Sequence, residues 1–286
     1  MLLNFLDLGS VLDRLAKVEL SWVLAALLCV LVGQFLSALR WAWLARGLGL
    51  EVRLFRKVYL YFLGMFLSLF LPSIIGGDVA RGVLLARGRE GKGWEAAASI
   101  ILERLNGVMA LVLVVTGCLF FLPLPPAWKW AWWALVVLVF LTVVAYKYLH
   151  PRLPNMMASW RRLPLTSPAF QMAWWKSLPA SLVFQALVVQ AHVFLGLAVG
   201  LSLTWPEYGV MVCLVALASA LPLSFNGFGI REGGYVGFAT YFGASGETAA
   251  AMAALWVAVL VVASLPGGVV LWRMGGLKDR EIKQQL

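Results

Sequence analysis

Five stretches of this chain, 20–44, 96–122, 128–148, 178–203 and 248–272, stay apolar for the length that carries a helix across a bilayer; roughly 20 residues suffice. Backbone polar groups in hydrocarbon must pair within a helix or a closed barrel, and runs this long select helices. Composition agrees: 62% of the 286 residues are hydrophobic and 13% charged, with a mean hydropathy of +0.89. A soluble domain averages about 45–50% apolar and about 25% charged. The fold class is therefore an all-α polytopic membrane protein. The longest polar stretches, 50–57, 86–93, 150–176 and the tail after Trp272, are too short for a soluble domain, so function resides in or at the membrane.

Several functional classes drop out. Cys29, Cys118 and Cys213 lie far apart within apolar segments, which is no metal-ligand spacing. His150 is interfacial. His192 is mid-segment, where it bonds between helices or relays protons. No hydrolase, zincin, Walker or dinucleotide pattern stands in a credible context. Neither an enzyme, a cofactor nor a metal site is expected. The net charge of +10 comes from basic residues flanking membrane segments, which implies anionic lipid headgroups rather than nucleic acid. In residues 1–18, Leu8, Val11, Leu12, Leu15 and Val18 recur at helical spacing between charges, as in an interfacial amphipathic helix.

Two further apolar runs, 58–71 and 210–221, are too short: as helices they reach roughly 21 Å and 18 Å, against a hydrocarbon core of about 30 Å. If 58–71 crossed, Arg46, Arg53, Arg56 and Lys57 would oppose Arg87, Arg89 and Lys92, against the positive-inside rule. If each run dips in and returns, Arg14, Lys17 and Lys129 are the only flanking cations left outside. Arg40, Arg81, Arg104 and Arg231 then remain in or near the membrane. The expected organisation is an amphipathic segment (1–18), a first repeat (19–122, re-entrant hairpin 58–86), an extra span and basic interfacial linker (123–176), a second repeat (177–272, re-entrant hairpin 210–242) and a cytoplasmic tail (273–286).

The hairpin tips resemble one another. "LPSIIGGDVAR" (71–81) aligns with "LPLSFNGFGIR" (221–231), matching Leu71/Leu221, Pro72/Pro222, Gly77/Gly227 and Arg81/Arg231. With span–hairpin–span units entering from opposite faces, this is an inverted-topology repeat, an arrangement common in transporters. Pro72, Gly76, Gly77, Pro222, Gly227 and Gly229 mark the turns, because proline removes a helical bond and glycine permits the reversal. The helix after each turn offers unpaired N–H groups to an anion, and Arg81 and Arg231 add planar forks suited to phosphate. A purely structural role is also open, with Asp78 pairing Arg81 and Glu232 pairing Arg231. Glu103, Arg104 and Asn106 interrupt another apolar helix. Intramembrane charge needs a partner: Arg81 or Arg231 for Glu103, and Asp78 for Arg104. Asn226 is a further polar candidate at the second tip. Gly229, Gly233 and Gly237 recur every fourth residue, which allows close helix packing.

"ALRWAWLARGLGL", "LPSIIGGDVARGVLLARG", "SIILERLNGVMAL" and "LPLSFNGFGIREGGY" resemble the transmembrane region of lysylphosphatidylglycerol synthases. They resemble equally the stand-alone flippase-like membrane proteins built from that region. The resemblance spans residues 5–275 and implies lipid flipping, with Asp78, Arg81, Glu103, Arg104, Arg231 and Glu232 as the polar core. Aminoacyl transfer, which it assigns to a separate soluble domain, is not carried over. The expected function is translocation of a lipid with an anionic or phosphate-containing headgroup, a phospholipid or a polyprenyl phosphate, in a prokaryotic plasma membrane. A homodimer is compatible with it. Transport of a small soluble anion, or a non-transporting partnership with a lipid-modifying enzyme, is the alternative.

Overall fold

The computed structural model describes residues 8–51, 53–71, 76–89, 91–149, 160, 163–220 and 229–275. Ten α-helices and no strand occur among them. These are α1 (Leu8–Ala16), α2 (Leu20–Gly47), α3 (Leu54–Leu67), α4 (Gly76–Ala86), α5 (Gly93–Phe121), α6 (Pro126–Leu149), α7 (Pro168–Val199), α8 (Trp205–Ser219), α9 (Ile230–Tyr241) and α10 (Gly246–Gly275). Helices α2, α5, α7 and α10 are each long and apolar enough to cross a membrane. The 24 residues of α6 reach about 36 Å.

Helices α2 and α7 make the most extensive pairing and run antiparallel. Trp22 stacks on Phe194, Gly33 faces Phe184 and Gly47 rests on Phe170. Small residues at these crossings let the backbones approach. Helix α7 starts ten residues before the apolar run at 178: Ser167 caps it, its side chain accepting from the Phe170 N–H at 3.2 Å, and Pro168 opens it without losing a bond. Helix α8 likewise starts before its apolar run, at Trp205, through a capping box between Thr204 and Glu207.

Helices α3 and α4 form an antiparallel pair. Arg56 Nη2 donates to the Leu84 carbonyl at 3.1 Å, and further along Gly77 lies directly against the Gly64 carbonyl, with no room for a Cβ. Helix α10 crosses α3 just as closely, because Gly267, following Pro266, meets the Phe62 carbonyl. In α9 it is Gly234 that carries the close contact, against Val215 of α8, while the space around Gly237 is open. The every-fourth-residue stripe therefore does not mark the packed face: 234 sits one helical position off it.

One large apolar core and two smaller ones pack along the bundle. The large one joins Val30, Val115, Leu195, Met211, Met252 and their neighbours. Of the smaller ones, the first joins Trp41, Leu60, Leu63, Leu85 and Ile100 near the basic end of the molecule, and the second joins Leu44, Leu48, Ala98, Leu102 and Phe170. Helix α1 lays Val11 and Leu15 on the large core and leaves Leu12 exposed, as its amphipathic spacing requires. Between the large core and the smaller ones, where α2 runs from Val30 to Trp41 and α5 from Ile100 to Leu111, lies a layer of charge. The tip residues Pro72, Pro222, Gly227 and Asn226 lie outside the described residues.

Candidate functional site

Glu103 sits ten residues into α5, about 15 Å along the helix and well inside an apolar run. An isolated carboxylate there would be prohibitively costly. The fold surrounds it with donors from three helices. Arg40 Nη2 of α2 lies 2.9 Å from Oε1, and Arg81 Nη2 of α4 lies 2.6 Å from Oε2. The Ser37 and Tyr61 hydroxyls each stand 3.4 Å from Oε1. Glu103 and Arg81 side chains are both 2% exposed. Arg81 is also flanked by aromatic faces, its guanidinium carbon 4.7 Å from the ring centres of both Trp41 and Tyr61, a cation–π arrangement that partly replaces water.

The network continues outward through Asp78. Arg81 Nε and Nη2 lie 3.1 and 3.0 Å from Oδ1, while Arg104 Nε and Nη2 lie 2.9 and 2.7 Å from Oδ2. Inward it continues through Arg40 Nη1, which donates to Ser181 Oγ at 2.9 Å; Ser181 in turn donates to Asn106 Oδ1. Three guanidiniums thus share two carboxylates, a surplus of one positive charge in a low-dielectric layer. Arg81 Nη1 and Arg40 Nε are buried and have no acceptor among the described residues. Buried donors are normally satisfied, so the layer is short of negative charge and of acceptors alike.

This layer opens sideways. A groove of about 1000 Å³ runs between α4 and α5, with Asp78 and Arg104 on its wall, Arg87 toward the basic end, and Ala220 at the end of α8 closing one side. Val79, Val83, Ile101, Leu105 and Val108 line it and are exposed. The Arg104 side chain is 57% exposed, whereas Asp78 is 16% exposed. The groove therefore offers apolar walls along its length and a cationic edge at Arg104.

Of the residues picked out from sequence, Asp78, Arg81, Glu103 and Arg104 come together in one cluster, and Asn106 joins it through Ser181. Arg231 and Glu232 pair on α9, with Nη2 3.0 Å from Oε1. Glu232 Oε2 also accepts from the Gly229 N–H at 2.7 Å, closing the start of α9 where Gly229 takes φ +83°. Gly76 and Gly77 open α4, ahead of Asp78. His192 bonds between helices: its Nδ1–H donates to the Val188 carbonyl at 2.8 Å, and Nε2 accepts from the Tyr235 hydroxyl at 2.9 Å.

Sequence reasoning missed Arg40, Ser37, Tyr61 and Ser181 as members of the cluster. Flanked by Trp41 and Trp43, Arg40 reads as an interfacial anchor. The overlooked signal was that it lies seven residues before the end of α2, too deep for a flanking charge.

Among protein families, the one described as the lysylphosphatidylglycerol synthase TM region matches residues 1–267 of the chain. No curated protein and no solved structure matches it.

Proposed function

The chain belongs to the family of the lysylphosphatidylglycerol synthase TM region, and from that premise we propose that it translocates a lipid bearing an anionic or phosphate-containing headgroup. The protein is a multi-pass membrane protein, and its place in this reading is the plasma membrane of a prokaryotic cell. The observation that carries the reading is the groove between α4 and α5, apolar along its walls and edged by a charge layer with one cation in surplus. Acyl or prenyl chains fit the walls, and a headgroup phosphate fits the edge formed by Arg104 and Asp78. A small soluble anion has no use for exposed valine and leucine walls, so the groove favours a lipid.

In this reading α3–α4 and α8–α9 are re-entrant hairpins of an inverted repeat. Their helices of 14, 11, 15 and 12 residues support it, because the longest reaches only about 22 Å against a core of about 30 Å. The antiparallel pairing of α3 with α4 supports it too, since it returns Leu84 to the level of Arg56. Arg81 and Arg231 stand at matching places of the two tip sequences. Each is held by a carboxylate, Asp78 or Glu232, that a headgroup phosphate would replace in turn. The lipid is moved intact, without covalent chemistry.

Headgroup-labelled phosphatidylglycerol, its lysyl ester and a short polyprenyl phosphate, reconstituted in proteoliposomes with an impermeant quencher outside, test this. The wild type should speed the loss of protected signal for at least one lipid, and Arg104→Ala, Arg81→Ala and Arg231→Ala should abolish the gain. No lipid moving faster than in empty vesicles, with folded and inserted protein, would sink the reading for these lipids.

A further inference from the structure

Asp78 occupies an unusual position for a structural carboxylate. Each of its oxygens has its own guanidinium, Oδ1 that of Arg81 and Oδ2 that of Arg104. Two guanidiniums gripping two oxygens of one group is the geometry with which arginines bind an oxyanion. The side chain doing the gripping is not equally committed on both sides. Arg81 keeps Glu103 and the Trp41 and Tyr61 faces whether or not Asp78 is present, so it stays in place. Its Nη1 is buried and has no acceptor among the described residues, a donor left over. Arg104, by contrast, is largely exposed on the groove wall, where an ion pair is weakly held.

We infer that Asp78 is a built-in occupant of a phosphate cradle formed by Arg81 and Arg104, displaced when a molecule in the groove presents its own phosphate. The inference rests on the lipid reading above and deepens it by naming the recognised chemistry and the competitor. Charge balance supports it. With Asp78 in place, Arg40, Arg81 and Arg104 face two carboxylates. A phosphodiester monoanion replaces Asp78 one for one and leaves the balance unchanged. Asp78 is the third residue of α4 and borders the groove, so the site it occupies is open to a molecule lying there. The positive end of the α4 dipole favours either anion at that place.

The test measures binding to full-length protein in maltoside detergent, which carries no phosphate. The probes are short-chain phosphatidylglycerol, its deacylated headgroup glycerophosphoglycerol, and inorganic phosphate. Removing the competitor with Asp78→Asn should tighten the lipid roughly tenfold, and Arg104→Gln should weaken it roughly tenfold, the size expected for one charge-assisted contact. The double variant should bind like Arg104→Gln alone. Asp78→Asn that melts as a folded protein yet binds no tighter overturns the inference. So does Arg104→Gln binding as well as wild type, and that variant removes an exposed side chain, so it remains informative if Asp78→Asn fails to fold. Glycerophosphoglycerol or phosphate binding as tightly as the lipid keeps the cradle but sinks the lipid source. Tightening by Asp78→Asn without translocation of any lipid keeps the cradle and rejects translocation. Translocation by the wild type without that tightening does the reverse.

Discussion

Arg40 and Glu103, 63 residues apart in the chain, meet at 2.9 Å with both side chains sealed from solvent. On the other oxygen of the carboxylate lies Arg81, so Glu103 pairs with two buried cations at once. Glu103→Gln is therefore expected to destabilise the fold by about 3–5 kcal/mol, the cost of stranding buried charge. Arg40→Gln combined with it should recover part of the loss, because one stranded cation is gone. Thermal melting of the detergent-solubilised protein reads both, and a double variant no more stable than Glu103→Gln would show that Arg40 does not depend on the carboxylate.

Filling the groove should stop transport without loosening the fold. Val83 is 62% exposed and faces the groove. Val83→Trp adds bulk there, and Val83 belongs to none of the apolar cores. The expected result is translocation slowed on the order of tenfold, equivalent to about 1.4 kcal/mol, at an unchanged melting temperature. The proteoliposome quenching assay and a melting curve together check it; a rate equal to wild type would place the lipid path elsewhere.

Glycines that look alike in the sequence should behave in opposite ways. A Cβ on Gly77 would run into the Gly64 carbonyl and Ser68 Oγ, so Gly77→Ala should prevent α3 and α4 from closing and sharply lower the yield of folded protein. Gly237 has open space around it within α9. Gly237→Ala should stabilise by about 0.5–1 kcal/mol, since alanine loses less freedom in a helix. Size-exclusion profiles and melting of both variants settle the contrast.

The Tyr235 hydroxyl satisfies the second nitrogen of His192, in a site lined also by the Trp256 ring 4.0 Å away. Tyr235→Phe leaves that nitrogen buried without a donor and should cost about 1–3 kcal/mol. His192→Phe in the same background should remove most of the penalty. The double-variant cycle, read by thermal melting, tests the pairing, and strict additivity of the two substitutions would argue against it.

The spans were legible because lipid imposes a simple rule on composition, and α2, α5, α7 and α10 follow it. The pairs Asp78–Arg104 and Glu103–Arg81 were legible too, since charges in an apolar run must find opposite charges nearby. Arg40 was not. Its partner comes from a different span, and the tryptophans beside it imitate an interfacial belt; in fact Trp41 faces inward, stacking with Arg81 and donating to Ser99 Oγ at 3.0 Å. Helix starts were misjudged for a related reason. Pro168 and Trp205 begin helices through caps made by Ser167 and Thr204, whose local geometry hydrophobic length does not register.

The contact between Gly77 and the Gly64 carbonyl sets how this protein is able to move. With backbone resting on backbone, α3 and α4 have no side-chain cushion on which one helix glides past the other. Any swing carries them as one stiff lever, together with the part of α10 that rests on the Phe62 carbonyl. Bending then falls to the lever's attachments, the turns at its basic end, where Gly49, Gly88 and Gly91 already adopt φ values of +77°, +79° and +74°. Arg81 and Asp78 ride on that lever, whereas Glu103 and Arg104 are fixed to α5. Any tilt of the pair therefore pries the two halves of the charge layer apart along the line where a headgroup would pass.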